Sequence, residues 1–418
     1  MLERAWGFDS LRPHSPLTYV GVTPISVTPL GIIHTVADAD QRNPFRYGAL
    51  ALDDAFTNRR AEIRELETDI RNGQDVVLLA PRRYGKSSLM WRVAQRLVRK
   101  RVLVAQVDLM TTPTKERLAE KLAKTIYEDI ASPIFRAKER LRVFQELRIQ
   151  PTVTVNPADG SLAFGFEASR GPEDLNETLE RLLELPGRLG TERERQAVLI
   201  LDEFQEIVDI DRDLPKLMRA VFQAQPEVAH VYLGSKRHMM RRIFSDENEP
   251  FWRSAKQLEL GVIAPKDFRS FIEHRFDSTG RAVASEAADR VLEITGGHPY
   301  ATQELCYFLW QRVGEGGTAD LRATEEALED VLRSEHAHFT LVWGRASSAQ
   351  RTLLQALASE PGHPLSAAYR RRFALAGPST VQKALEALER EELIARNGGF
   401  AEIREPFLAE WLDRELRG

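Results

Sequence analysis

"LLAPRRYGKSSLMWRV", residues 78–93, is an apolar run that breaks into a short basic turn and resumes as a helix-forming stretch. The turn fits the pattern G-x-x-x-x-G-K-[ST] with one substitution. Ala80 stands at the first glycine, and Gly85, Lys86 and Ser87 complete the pattern. Phosphates carry dense negative charge. A turn of backbone N–H groups at a helix N-terminus meets them with donors and with the positive end of the helix dipole. Gly85 permits the tight turn, Lys86 can reach the β- and γ-phosphates, and the Ser87 hydroxyl can ligate magnesium. Ala80 adds a methyl group and excludes only the backbone conformations reserved for glycine. The nucleotide-binding segment is expected to be Ala80, Pro81, Arg82, Arg83, Tyr84, Gly85, Lys86, Ser87 and Ser88. A G-K-S tripeptide alone would be read as an ordinary helix start.

The flanking sequence supplies the context. "DVVLLA" before the turn is a short apolar run suited to a buried parallel strand, and "KSSLMWRVAQRLVRK" after it is a helix. Further apolar runs follow at "VLVAQVDLM", "QAVLILDEFQEI", "PEVAHVYLGS" and "AKQLELGVI". Helical stretches fall between them, at about 114–130, 133–148 and 174–189. Strands alternating with helices imply an α/β core with a mostly parallel sheet. "PTVTVNPADGSLAFGFEA" alternates apolar and polar residues around Asp159-Gly160 and reads as an inserted hairpin over 151–168. Upstream, Ile63, Leu66 and Ile70 share a helix face, with Asn58 placed to cap it.

The run "VLILDEF" adds a second signal. Asp202 emerges from a strand at the phosphate edge of such a sheet and can hold magnesium through water. Glu203 points elsewhere on the extended backbone and can polarise an attacking water. In isolation the pair would be two acids solvating a strand end. Together with the loop, and in the right order, it points to a nucleotide site, with hydrolysis requiring further charge stabilisation at the γ-phosphate.

Composition sets the outer bounds. Lys plus Arg number 58 and Asp plus Glu 62, a net charge of -4 that does not mark a nucleic-acid or membrane protein but leaves room for a local basic patch. The single cysteine, Cys306, allows no internal disulfide and no cysteine-rich zinc site, and reads as a small buried helix residue. No apolar run approaches the roughly 18 residues of a membrane span, and the first residues lack a secretory pattern. The expectation is a soluble cytoplasmic protein. Residues 1–43 are rich in Pro, Thr and Val without helical period and read as short strands or a poorly ordered arm.

After Pro265 the pattern becomes helical through about 345, with Gly296-Gly297 stopping one helix and Pro299 opening the next. Residues 346–418 read as a winged helix. Val381, Leu385 and Leu388 form one helix face behind Ser379 and Thr380 as capping residues, and Asn397-Gly398-Gly399 turns a hairpin wing. Phe407 and Trp411, four apart, are expected to pack inward. In DNA-binding winged helices the second helix enters the major groove. Here its exposed side mixes Lys383 with acids, and Arg370, Arg371 and Arg372 form the best basic cluster for phosphate contacts. The alternative is a winged helix used for protein contacts.

"NPFRYG", "FTNRRAEI", "APRRYGKSSL", "LILDEFQEI", "VYLGSKRHMM", "PFWRSAKQLEL" and "GGHPYATQEL" occur in the order seen in the archaeal-type ATPases, which the chain resembles over about residues 43 to 415. These belong to the signal-transduction branch of P-loop ATPases, akin to AAA+ proteins. The resemblance implies a core over 44–264, a helical lid over 265–345, and ATP with Mg2+ as ligands. It implies that Arg59 lies against the adenine and that Ser235 senses the γ-phosphate. It implies that Arg253 is an arginine finger or nucleotide-state sensor, and that His298 and Pro299 approach the nucleotide from the lid. It also matches Arg82 and Arg83 to paired arginines that contact phosphate or a partner subunit. Each has a plainer reading: an Arg59–Glu62 pair, Ser235 as a helix cap, Arg253 in a surface salt bridge, His298 and Pro299 as a helix start, and solvent-facing loop arginines. The functional expectation is an ATP-hydrolysing switch coupled to the winged helix, acting alone or as a homo-oligomer. The alternatives are a DNA-binding module tuned by ATP and an interaction scaffold with a structural nucleotide.

Overall fold

The computed structural model describes residues 42–126, 151–155, 162–166 and 172–417. Expectations for the N-terminal arm, the helix at 133–148 and the Asp159-Gly160 turn therefore lie mostly or wholly outside the described residues.

The elements run α1 (Arg60–Arg71), β1 (Val76–Leu79), α2 (Lys86–Arg99), β2 (Leu103–Asp108), α3 (Lys115–Thr125), β3 (Pro151–Val155), β4 (Leu162–Phe166), α4 (Pro172–Glu192), β5 (Ala197–Asp202), α5 (Ile207–Ile210), α6 (Leu214–Gln223), β6 (Val228–Gly234), α7 (Arg237–Ser245) and β7 (Lys256–Glu259). All five expected core strands form one parallel sheet in the order β2-β5-β6-β1-β7. The three central strands are buried along their whole length, while the edge strands β2 and β7 alternate. That is why the central runs are continuously apolar. Side chains alternate between two cores. Val77, Leu79, Leu199 and Leu201 face α3, α4 and α6. Val76, Leu78, Val198 and Ile200 face α1 and α2, where Leu66, Ile70, Leu89 and Val93 meet them. The strands β3 and β4 pair antiparallel as a separate two-stranded sheet and do not extend the main one.

Four helices follow: α8 (Pro265–Asp277), α9 (Ser285–Thr295), α10 (Pro299–Arg312) and α11 (Leu321–Arg345). The short strands β8 (Ala282–Val283) and β9 (Thr318–Ala319) pair between them. The winged helix comprises α12 (Ser348–Ser359), α13 (Ala367–Arg372), α14 (Pro378–Arg390), β10 (Ile394–Asn397), β11 (Phe400–Ile403) and α15 (Pro406–Arg417). Its wing turns on Gly398 and Gly399, both at positive φ, as a two-residue hairpin of this hand requires. Phe407 and Trp411 are buried, and Trp411 packs against Phe339 of α11. One hydrophobic core runs through both segments, from Ile272 and Leu305 to Leu385 and Leu412. The helical region and the winged helix are thus packed as one body.

Two expected caps fall elsewhere. Arg59, not Asn58, is the N-cap of α1, in left-handed conformation and without a side-chain cap. Asn58 instead donates to Asp267 Oδ2 at 2.5 Å. Gly377 caps α14 with Pro378 in its first turn, which places Ser379 and Thr380 inside the helix. Pro378 lacks the N–H that a cap would otherwise serve, so the helix opens on proline. Among the described residues no helix is long and apolar enough to cross a membrane.

Candidate active site

The sheet order makes β1, β6 and β5 neighbours, so their C-terminal ends meet. The loop leaves β1, Ser235 follows β6, and Asp202 ends β5. Ala80 does not take a positive φ, and its methyl is buried in the core against α2. The glycine requirement sits at Gly85, with φ 81°, which caps α2 without a side-chain bond. The first N–H groups of α2 therefore keep their capacity to meet an anion.

Lys86 opens α2 and is 7% exposed. Its Nζ lies 3.4 Å from Glu203 Oε1. Ser87 Oγ donates to Asp202 Oδ2 at 3.3 Å. Ser88 serves another purpose: its Oγ accepts the Ala51 N–H at 3.0 Å, tying down the segment before α1.

Glu203 adopts φ 50°, ψ 47°, a left-handed conformation that costs a non-glycine residue about 1–3 kcal/mol. The turn carries its carboxylate off the strand line. Oε2 accepts Ser235 Oγ at 2.6 Å, the Ser235 N–H at 3.3 Å and Gln205 Nε2 at 2.6 Å. Ser235 is thus engaged with Glu203 and does not cap α7, whose N-cap Lys236 has no side-chain cap bond. Gln205, fully buried, was not singled out from the sequence. Its position two residues after Glu203 becomes informative only once the chain is known to turn there.

The acids are pushed apart. Burial raises the Asp202 carboxyl to about 6 against the attraction of Lys86. Burial also raises Glu203, but the Lys86 ammonium and the bonds from Ser235 and Gln205 outweigh it and hold Glu203 below its ordinary value. Asp108, opposite Asp202 in the β2–β5 register, is raised by burial. No group of three or more His, Cys, Asp or Glu among the described residues could hold a metal alone. The adjacent hydroxyl and carboxylate of Ser87 and Asp202 fit a hard divalent cation whose remaining ligands are phosphate and water oxygens.

The other expected residues fall around this centre. Arg59 is buried and donates to Glu62 Oε1 at 3.0 Å and to the Gly261 carbonyl at 2.6 Å, so its pairing with Glu62 is present and it also ties α1 to the segment after β7. His298 caps α10, its Nδ1 accepting the Ala301 N–H at 3.2 Å, and Pro299 occupies the first turn. The His298 ring packs edge-on against Tyr84 of the loop, centroids 4.7 Å apart. Burial, reinforced by Arg83, lowers His298 to about 4, so it is neutral at pH 7. Pro81 is buried and Arg82 exposed. Arg253 is exposed at φ 50°, lies over the Trp252 ring and forms no ion pair among the described residues, which removes the salt-bridge reading. On the winged helix, Arg372 pairs with Glu360 at 2.5 Å, Arg370 and Arg371 donate to carbonyls of their own segment, and Lys383 is exposed.

Gly297 fixes how the helical region meets the core. It has φ 74°, and a β-carbon there would lie 2.4 Å from the Ile263 carbonyl oxygen. Ile263 in turn donates its N–H to the Gly297 carbonyl at 3.0 Å. Gly297→Ala is expected to destabilise the fold by about 2–3 kcal/mol, read as a lowered denaturation midpoint. An unchanged midpoint would mean that this junction is slack.

Sheet, loop and acid pair define a phosphate-loop nucleoside-triphosphatase fold followed by a winged helix. Residues 56–305 match the family described as an ATPase domain predominantly from Archaea, and the chain belongs to that family. Residues 337–414 match a probable winged helix domain. Among solved structures, a Walker-type ATPase of Pyrococcus abyssi is 18% identical with a TM-score of 0.60, covering 87% of this chain and 97% of its own. The ORC2 protein of Aeropyrum pernix, solved as ADPNP–ADP complexes, is 15% identical with a TM-score of 0.52, covering 90% of this chain and 98% of its own. At these identities the likeness is one of fold. No curated protein gives a significant match.

Proposed function

We propose that the chain binds ATP with Mg2+ at the loop, hydrolyses it, and uses nucleotide state to reposition the helical and winged-helix body. The supporting observation is the convergence of Lys86, Ser87, Asp202, Glu203 and Ser235 at the ends of three adjacent strands. Lys86 and the α2 N-terminus would hold the phosphates, Ser87 would ligate magnesium, and Asp202 would hold it through water. When bound, the metal would supply neutralisation of the phosphate charge. Glu203 takes a proton from the attacking water as the bond from that oxygen to the γ-phosphorus forms and the β–γ bridge bond breaks. Ser235 and Gln205 hold Glu203 in place for that transfer.

The nucleotide drives repositioning only by binding the two arrangements with different affinity. Because the helical region and winged helix share one core, they move together. The basic face of the winged helix is modest, with Arg372 already neutralised, which favours a protein partner over duplex DNA. Arg253, exposed and free of ion pairs among the described residues, is our candidate for a group that acts on its own or a neighbouring copy's nucleotide.

The test is ATP turnover per chain against protein concentration, with Lys86→Ala as control. A rise that saturates is expected, would mean that hydrolysis needs a neighbouring copy, and would make Arg253 the first residue to mutate. Lys86→Ala is expected to weaken ATP binding roughly 10–100-fold, the loss of one or two charge-assisted bonds. Unchanged affinity in that variant would sink the nucleotide reading.

A further inference from the structure

The loop arginines have partners that the sequence does not reveal. Arg83 sits at φ 66°, which carries its side chain out of the turn. Its guanidinium lies 4.2 Å from the Tyr300 ring centre and 3.8 Å from Glu405 Oε2. Tyr300 is on α10 and Glu405 immediately precedes α15. One loop side chain therefore touches both the helical region and the winged helix. Arg83 also faces Glu304 of α10, and Glu335 of α11 adds its charge to the same group. Glu304 is fully buried, and neither of its carboxyl oxygens has a hydrogen-bond partner. Arg83 is the cation in the field of both Glu304 and Glu405.

A second carboxylate of the winged helix lies in the field of the same loop. Glu392, just after α14, is half-buried. It faces the backbone N–H of Arg237 at the start of α7, with Arg82, Arg237 and Lys86 in its field. The winged helix thus presents acids to the cations that a triphosphate would use.

We propose that Arg83 and Glu405 form an electrostatic latch holding the winged helix on the loop, and that the phosphates of a bound nucleotide compete with Glu405 for Arg83. The proposal rests on the nucleotide-binding reading and names how occupancy reaches the winged helix. When Arg83 turns to phosphate, Glu405 is left beside Glu335 without its cation. Glu405, partly buried in the docked arrangement and left without its cation, disfavours that arrangement until undocking hydrates it. The coupling is reciprocal: what the latch adds to docking it subtracts from nucleotide affinity.

The experiment is calorimetric titration of the full chain with a non-hydrolysable ATP analogue and Mg2+, using wild type, Glu405→Gln, Arg83→Gln and the double variant. Glu405→Gln is expected to tighten binding about 1.5-fold to fivefold, the range for a partly exposed ion pair. That gain is expected to vanish in the Arg83→Gln background. Hydrogen exchange gives an independent readout. In wild type the analogue should raise exchange around β11 and the start of α15, whereas Glu405→Gln should exchange fast there with or without it. No tightening, or equal tightening in both arginine backgrounds, overturns the latch. If wild type binds the analogue, Lys86→Ala weakens binding and Glu405→Gln changes nothing, the latch alone fails. If wild type does not bind, latch and nucleotide reading fail together.

Discussion

Glu203→Gln is expected to lower ATP turnover by about 100-fold or more while nucleotide binding persists, since a positioned general base contributes about 10²–10⁴-fold. The substitution is nearly isosteric, so the left-handed turn at residue 203 and the acceptor for Ser235 Oγ can both remain. What disappears is the charge. Lys86 and the bonds from Ser235 and Gln205 keep Glu203 ionised despite its burial, which is the state a base needs. Lys86 now pairs with Glu203 at 3.4 Å and would be freed to meet phosphate, so affinity should hold or rise. Single-turnover rates and a separate dissociation constant distinguish the two effects. Turnover within about threefold of wild type would remove Glu203 from the chemistry and leave it a partner for Lys86. Loss of binding and turnover together would make it a structural support of the loop.

The sheet was legible because its strands carry their own signal. "VVLL", "AVLILD" and "VAHVYLG" are buried on both faces and therefore apolar at nearly every position, and the turn at Gly85 falls where strand gives way to helix. The acid pair could be read for the same reason, since Asp202 ends an unmistakable strand. Local chemistry was less reliable where tertiary partners compete for a side chain. Ser235 fits a cap by sequence, yet the Glu203 carboxylate takes its hydroxyl. Asn58 fits a cap, yet Asp267, far along the chain, takes its amide. Ser88 lies inside the motif but serves Ala51. The Arg83–Glu405 contact joins residues more than three hundred positions apart. No periodicity encodes such a pair, because it exists only once the winged helix folds back on the loop. The single core shared by α8–α15 was hidden likewise: each helix shows an apolar face, but the sequence does not say which faces meet.

Glu304→Gln is expected to stabilise the protein increasingly as pH rises from about 5 to 8. Glu304 is fully buried on α10, and burial, with Glu335 and Glu405 nearby, raises its carboxyl to about 8, with Arg83 opposing. Tyr47 and Tyr300 are the other titratable groups that share this field, and both are raised, so neither gains charge near neutrality. The folded chain therefore keeps a proton that the unfolded chain releases above its ordinary value of 4.5. Where the folded state binds more protons, stability falls as pH rises. The cost begins near pH 4.5, grows through neutrality and levels off above about 8. At about 1.4 kcal/mol per pH unit, discounted for relaxation around the site, the difference between variant and wild type should grow by on the order of 3 kcal/mol between pH 5 and pH 8. Glutamine mimics the neutral acid, and its amide can donate toward Glu335. Glu405, also raised by burial, leaves part of the slope in place. Denaturant midpoints of both proteins at pH 5, 6.5 and 8 check the sign. Parallel pH dependences would mean that Glu304 ionises normally in the folded chain, and that the acid cluster facing Arg83 is better hydrated than its burial implies.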